Sequence, residues 1–152
     1  MVKTASSLLI LIALVSLLAC DGGVDVSGTV YAASEAGVQR SSEVFFDRPP
    51  QESMIGSPII ATVVLYPRVD PDRPDEIPGF GFGQFETVTK SDGSFEVGST
   101  CAPFGNLPMM IEFRADGYKS VLHRFVHYSD DNPTMHHQAI AILAPDTSDG
   151  GE

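Results

Sequence analysis

The sequence is poor in cations and in cysteine, and these shortages exclude several classes of protein. Nine Lys and Arg stand against 20 Asp and Glu over 152 residues, which gives a formal net charge of −11. Nucleic-acid backbones and anionic lipid surfaces attract clustered cations. The negative net charge of this chain therefore predicts no nucleic-acid partner and no electrostatic adhesion to anionic lipid. Two cysteines are too few for a disulfide scaffold or a cysteine-rich zinc module. The length fits one domain.

Catalytic signatures are also missing from the sequence. It contains no Gly-x-Ser-x-Gly motif, no phosphate-binding loop and no chain order typical of a Ser-His-Asp triad. No pair of carboxylates falls on an element that would hold them at a fixed distance, as glycoside hydrolysis requires. We therefore expect a protein that is not an enzyme and that carries no cofactor.

The first 19 residues have the pattern of a secretory signal peptide. Lys3 supplies a positive start, an apolar run begins at Leu8, and Ala19 is the small residue at its end. The run is shorter than the roughly 20 residues that a transmembrane helix needs, and no later segment is long and apolar enough to span a bilayer. The pattern predicts residues 1–19 as a removable signal.

Leu17-Leu18-Ala19-Cys20 resembles the lipobox of bacterial lipoproteins. In that family the cysteine thiol receives a diacylglycerol, the signal is cut before the cysteine, and the new amine is acylated. The resemblance implies lipidation at Cys20, with residues 20–23 as the lipidated start and a short linker. It also implies a membrane-anchored protein of the bacterial cell envelope that faces the periplasm or the cell surface, because two or more acyl chains anchor a protein stably. The inner and the outer membrane are both open alternatives.

The rest of the chain predicts strands separated by turns, because it is rich in glycine and proline. Alternating valines from Val24 to Val30 predict a half-buried strand, and the doubly apolar run from Ile59 to Tyr66 predicts a central one. Polar and proline-containing stretches predict long loops at residues 33–57 and 67–83. These two loops are expected to carry recognition, as loops on a rigid scaffold usually do.

The second half of the chain predicts five further strands. Asp92-Gly93 predicts a tight turn that joins the first two of them into a hairpin. The five strands are expected at residues 84–89, 94–97, 109–115, 118–128 and 135–143. Seven short strands without a convincing helix predict an all-β domain over residues 24–144, a seven-stranded Greek-key β-sandwich, followed by a disordered acidic tail at 145–152.

The order of these strand and turn motifs resembles that of the carboxypeptidase regulatory-like domains, which share a transthyretin-like (prealbumin-like) sandwich. The motifs are Val26-Ser27-Gly28-Thr29-Val30, Pro58 to Leu65, Thr87 to Phe95 and Phe113 to Tyr118. Members of this family are mostly non-catalytic modules attached to other proteins. The resemblance therefore implies a transthyretin-like fold and a binding role.

Residues 87–95 and 108–118 also resemble, more distantly, the intradiol ring-cleavage dioxygenases. That family holds ferric iron with two Tyr and two His. The strand that carries a His-x-His motif in that family corresponds to residues 108–113 of this chain. Met110 and Glu112 therefore stand at the two histidine positions, and Phe104 stands where a ligand Tyr is expected. A thioether and one carboxylate cannot replace two imidazoles and a phenolate around hard ferric iron. The resemblance therefore implies a layout that lacks the iron ligands.

Histidines and an acidic loop are the remaining candidates for binding a metal. His127 and His136 would lie nearly opposite each other if residues 129–133 close a hairpin, and two neutral imidazoles can bind zinc with a carboxylate. The alternative is a set of solvated histidines at a sheet edge, and we favour it over metal binding. The acidic loop at residues 70–76 offers oxygen ligands for calcium or, by default, is a solvated charged loop.

Phe80 and Phe82 lie between glycines in the second long loop. Such rings either stack on a sugar or a protein partner, or pack beneath their own loop. The leading hypothesis is a lipid-anchored, non-catalytic envelope protein whose β-sandwich binds an envelope protein or a glycan. The alternatives are a metal-dependent enzyme related to the intradiol dioxygenases and a purely structural envelope protein.

Overall fold

The computed structural model describes residues 23–35, 41–67, 69, 72, 84–99, 107–127 and 134–147. Cys20, Cys101, Phe80, Phe82 and Phe104 lie outside the described residues, as does the acidic loop at 70–76 apart from Asp72. The described part of the chain is all-β apart from one short 3₁₀ turn, Glu52–Met54. In that part, no helix is long and apolar enough to cross a membrane.

Nine strands are present in the described residues, so the prediction of seven was wrong. They are β1 Gly23–Ala33, β2 Glu43–Phe46, β3 Ile55–Pro58, β4 Thr62–Tyr66, β5 Phe85–Val88, β6 Ser94–Ser99, β7 Leu107–Arg114, β8 Val121–His127 and β9 Thr134–Leu143. The two additional strands, β2 and β3, fall within the predicted loop at residues 33–57. Their sequences, EVFF and IGSP, do not alternate apolar and polar residues, so they lack the period-two pattern that predicts a strand.

The first sheet is built around the parallel pair β1 and β9. Their register runs without interruption from Gly23 opposite Thr134 to Ala32 opposite Leu143. The strand order is β2-β9-β1-β3. The edge of β1 that faces away from β9 has two partners: β6 pairs with residues 24–29 of β1, and β3 pairs with residues 31–33. Gly28 lies where the backbones are closest, because a Cβ there would be 1.7 Å from the carbonyl oxygen of Ala139.

The second sheet has the order β5-β4-β7-β8, and all its pairs are antiparallel. β4 is buried on both faces from Val63 to Tyr66, as the doubly apolar run predicted for a central strand. The two sheets pack face to face, and the core between them includes Val26 and Phe95 from the first sheet and Leu65, Ile111 and Phe113 from the second. This two-layer packing is that of a β-sandwich.

The Asp92-Gly93 turn is present, but the hairpin predicted around it is wrong. Gly93 has φ +76°, and Asp92 Oδ1 accepts hydrogen bonds from the backbone N–H and the hydroxyl of Ser94. The flanking strands separate, because β5 pairs with β4 in one sheet and β6 pairs with β1 in the other. The buried Thr89 hydroxyl supports this crossing, since it accepts from Ala61 N–H and donates to the Ile59 carbonyl. The turn therefore joins the two layers.

Candidate functional site

The outer face of the second sheet, which points away from the core between the sheets, carries a polar cluster on regular strands. Register and strand alternation place Glu86 of β5, Tyr66 of β4 and Glu112 and Arg114 of β7 on this face. The Tyr66 hydroxyl donates a hydrogen bond to Glu112 Oε2 at 2.9 Å. Arg114 lies between two carboxylates, 3.6 Å from Glu86 and 3.8 Å from Glu112.

One end of this face is closed by a second, smaller hydrophobic cluster. Val64 and Met110 are fully buried there and pack with Tyr66 and Val69. Val69 follows β4 in the chain, and its N–H donates to the Pro108 carbonyl at 3.1 Å. The chain after β4 therefore turns back over the face at this end, which explains why only 12% of the Glu112 side chain is exposed.

The other end of the face is an open depression of about 560 Å³. Its lining comprises Ile60, Ala61, Thr62, Glu86, Val88, Arg114, Ala115 and Asp116. Ile60 and Val88 are 58% and 57% exposed, the highest values among the large hydrophobic side chains of the described residues. Two exposed aliphatic side chains beside a guanidinium and two carboxylates can provide both apolar contact and directional polar contact for a ligand.

The residues on this face do not fit the ferric iron of the intradiol dioxygenases. Met110, at the first of the two expected histidine positions, is completely buried among aliphatic side chains and Tyr66. Glu112, at the second position, already accepts the Tyr66 hydrogen bond and faces Arg114. A buried thioether and a carboxylate with these partners are not a ligand set for ferric iron.

We expect the Tyr66 phenol to ionise at unusually high pH. Burial and the hydrogen bond to Glu112 raise the pKa of the Tyr66 phenol from 10.0 to about 12. Because the folded pKa lies above the unfolded one, the neutral phenol contributes stability below pH 10, and this contribution is lost as the pH rises from about 10 to about 12. Tyrosinate absorbance should show a late step that Tyr66→Phe removes.

The control for this titration is Tyr31→Phe, which leaves the Tyr66–Glu112 pair unchanged. Urea unfolding across the same alkaline range should show a smaller loss of stability in Tyr66→Phe than in the unmodified protein. A late absorbance step that survives in Tyr66→Phe would show that the Glu112 contact does not hold the phenol in its neutral form.

The histidines are distributed between the two sheets, and the predicted histidine hairpin is wrong. β8, which ends at His127, belongs to the second sheet, whereas β9, which carries His136, pairs with β1 and β2 in the first. Nε2 of His136 lies 2.8 Å from the Ser27 hydroxyl on the outer face of the first sheet. Among the residues that the structure describes, no three His, Cys, Asp or Glu side chains are grouped to hold a metal.

Sequence reasoning missed an aromatic cluster that closes one side of the sandwich, where the edge strands β2 and β8 meet. The Phe46 ring centroid lies 4.5 Å from that of Phe125, 5.2 Å from that of His123 and 5.1 Å from that of His137. Burial lowers the pKa of His123, and the charge of Arg48 lowers it further. This cluster packs the edge strands of the two sheets against each other and so supports the fold.

Asp47 holds β2 against β9 immediately beside these rings. Its carboxylate accepts hydrogen bonds from the Gln138 backbone N–H at 2.9 Å and from His137 Nδ1 at 3.1 Å. Burial raises the pKa of Asp47, but the two hydrogen bonds and the charges of His137 and His136 together bring it below 3.8. Asp47 has φ 52°, a left-handed conformation that Asp tolerates better than most residues.

Some solved structures resemble this chain, but at low sequence identity and low TM-score. No known protein family matches the sequence, and no curated protein matches it. The chain resembles 3-chlorocatechol 1,2-dioxygenase from Rhodococcus opacus 1CP at 11% identity and a TM-score of 0.43, over 82% of this chain and 61% of that one. It resembles chlorocatechol 1,2-dioxygenase from Pseudomonas putida at 11% identity and a TM-score of 0.40, over 80% of this chain and 60% of that one. The chain thus spans about 60% of the length of these dioxygenases.

Proposed function

We propose that this chain is a lipid-anchored, non-catalytic protein of the bacterial envelope whose β-sandwich works as a binding module. The observation that carries the binding role is the depression on the outer face of the second sheet. It combines two largely exposed aliphatic side chains, Ile60 and Val88, with Arg114 held between two carboxylates. Ile60 lies in the short connection between β3 and β4, and the other residues named lie on β-strands, so the surface is preorganised for a partner.

The chemistry of this face favours recognition over catalysis. A general base needs a free acceptor, whereas the Glu112 carboxylate already accepts the Tyr66 hydroxyl and faces Arg114. A general acid needs a pKa near the working pH, whereas that of Tyr66 is raised to about 12. The same groups are well suited to binding, because guanidinium and carboxylate groups form strong hydrogen bonds with polar ligands.

The same proposal includes the lipid anchor and the specific type of β-sandwich. Cys20 is the lipidation site, and the body is a transthyretin-like sandwich of the carboxypeptidase regulatory-like kind with a Greek-key order. The partner is an envelope protein or a glycan. The recognition role expected of the segment 67–83, with Phe80 and Phe82, belongs to this proposal. Of this segment, Val69 packs with Val64, Tyr66 and Met110 at the outer face of the second sheet.

Replacing Cys20 by serine is expected to abolish lipidation, because a hydroxyl does not accept the diacylglycerol. Each buried CH₂ contributes about 0.8 kcal/mol to membrane attachment, so losing the acyl chains should release the protein from the membrane fraction. Processing before position 20 should also be blocked, because in lipoproteins the cut follows lipidation of the cysteine. Mass spectrometry of the N-terminal peptide should find acyl chains on the unmodified protein and none on Cys20→Ser.

The matched control is Cys101→Ser, which removes the other cysteine and should leave both lipidation and membrane retention unchanged. An N-terminal peptide without acyl chains in the unmodified protein would overturn the anchor. Photo-crosslinking in the intact envelope, from positions along both long segments and the depression, tests the binding role. A stoichiometric transition metal in the purified protein would instead favour the enzymatic alternative.

A further inference from the structure

β5 is an edge strand of the second sheet, and some of its backbone N–H and C=O groups point away from that sheet. Thr89 N–H donates to the Ala61 carbonyl, which identifies the pair Ala61–Thr89 as hydrogen-bonded. Bonded and non-bonded pairs alternate in an antiparallel ladder, so the backbone N–H and C=O groups of Glu86 and Val88 point away from β4. The described residues provide no strand on this side of β5, since β6 pairs with β1 in the other sheet.

The side chains beside this edge define what could pair with it. Glu86 and Val88 both project onto the outer face, where half of the Glu86 side chain and 57% of Val88 are exposed. The depression next to them contains Asp116 as a second carboxylate and Arg114 as its one cation among the described lining residues. The whole chain has a net charge of −11. Charge complementarity therefore favours a basic partner segment, with an aliphatic group to cover Val88 and Ile60.

We propose that β5 is a docking edge for an extended segment of a partner protein, in which a basic residue and an aliphatic residue lie two positions apart. This inference rests on the proposed binding function and names its site and the chemistry of its partner. The segment adds as a further strand, and its backbone bonds to the outward groups of Glu86 and Val88. Addition of a strand to an exposed sheet edge is a recurring mode of peptide recognition.

The spacing of the recognised residues follows from strand geometry. Directly opposed side chains on adjacent strands lie about 5 Å apart, so one residue of the partner faces Glu86 and the residue two positions away faces Val88. In an antiparallel arrangement the partner segment reads aliphatic-x-basic, and in a parallel one basic-x-aliphatic. A second copy of β5 is a poor occupant, because Phe85–Val88 contains no basic residue and the two Glu86 side chains would be close together.

The test uses the full lipidated protein in detergent and a synthetic peptide that alternates lysine and valine with intervening threonines. Fluorescence anisotropy should show saturable binding of this peptide and none of a counterpart with glutamate in place of lysine. Val88→Pro should weaken binding about tenfold or more, because it removes an outward N–H while sparing the β4 ladder. Glu86→Gln should weaken binding about two- to fivefold, as expected for one cross-strand charge pair.

Glu96→Gln is the matched control, because it removes the same charge from the exposed β6 position on the other sheet and should leave binding unchanged. A second pair of probes needs no change in the protein. N-methylation of the peptide amides that face β5 should abolish binding, whereas N-methylation of the intervening amides should not. This pair also decides the outcome if Val88→Pro fails to fold.

Several results would overturn the proposal. They are no saturable binding, equal effects of Glu86→Gln and Glu96→Gln, equal tolerance of both methylation patterns, or self-association through β5 in sedimentation experiments. Photo-crosslinking from Val88 in the intact envelope separates this failure from that of the binding function itself. Partners captured from other surfaces but not from Val88 would contradict the docking edge and leave the binding function standing. Absence of crosslinks from every surface would contradict both.

Discussion

Gly28→Ala is expected to destabilise the fold by about 3 kcal/mol or more, at the upper end of the range for overpacked core positions. The added Cβ would lie 1.7 Å from the Ala139 carbonyl oxygen and 2.7 Å from its carbonyl carbon. Both atoms belong to the backbone of β9, so no change of side-chain rotamer relieves the contact. The parallel pair β1–β9 would have to separate at its middle, and urea unfolding should report the loss as a lower midpoint.

Gly117→Ala is the comparison for this prediction. A Cβ at Gly117 has no atom within 4 Å, and its cost comes from the φ of +77° alone. A left-handed alanine costs about 1–2 kcal/mol, so Gly117→Ala should be clearly milder than Gly28→Ala. Equal losses in the two variants would mean that the close approach of β1 and β9 at position 28 costs no more than a left-handed alanine, which would contradict the packing argument for Gly28.

Phe46→Ala is expected to cost about 2–4 kcal/mol, because truncating a large aromatic side chain leaves a cavity and removes ring contacts. The ring joins the edge strands β2 and β8 through Phe125 at 4.5 Å and His123 at 5.2 Å. Its removal also exposes His123 to water. Since burial is the main reason that the pKa of His123 is lowered, that pKa should rise towards 6.5, which NMR titration measures.

Phe45→Ala is the matched control, because the neighbouring residue on the same strand projects onto the opposite face of the sheet. There its ring lies beneath the Arg48 guanidinium at 5.4 Å. Loss of such a cation–π contact costs about 0.5–1 kcal/mol. His123 stays buried in this variant, so its pKa should change less than in Phe46→Ala, by no more than the smaller contribution of the Arg48 charge. If Phe46→Ala left both stability and the His123 titration unchanged, the aromatic cluster would have no part in joining the sheets.

The sequence predicted strands where their patterns are local. β4 was recognised because both faces of TVVLY are apolar, and Asp92-Gly93 was recognised as a turn because glycine adopts its positive φ. Pairing was not predictable in the same way, because the partner of a strand depends on residues far away in the chain. β5 and β6 are joined by only five residues, Thr89 to Gly93, yet they belong to different sheets. A tight turn alone therefore did not imply a hairpin.

The candidate site was less accessible to sequence reasoning than the fold. Tyr66 and Glu112 are 46 residues apart, and only the pairing of β4 with β7 brings them together. One signal was available, because Glu112 lies between the buried Ile111 and Phe113 and must therefore face away from the core. The Asp47–His137 contact had no comparable signal. It depends on the left-handed backbone at Asp47, in a segment that the prolines at 49 and 50 had marked as a loop.

The parallel alignment of β1 and β9 fixes how the body stands on a bilayer when Cys20 carries lipid. Three residues, Cys20 to Gly22, precede β1, and at about 3.3–3.6 Å per residue they cannot extend beyond roughly 11 Å. The Gly23 end of the sandwich therefore rests close to the headgroups. β9 ends at the opposite end of the sandwich from Gly23. There the Lys119 N–H donates a hydrogen bond to the Ala144 carbonyl, and Asp116 lines the depression. In the lipid-anchored form that we propose, the short tether would place the depression on the side of the domain away from the bilayer, where molecules approach from the aqueous side.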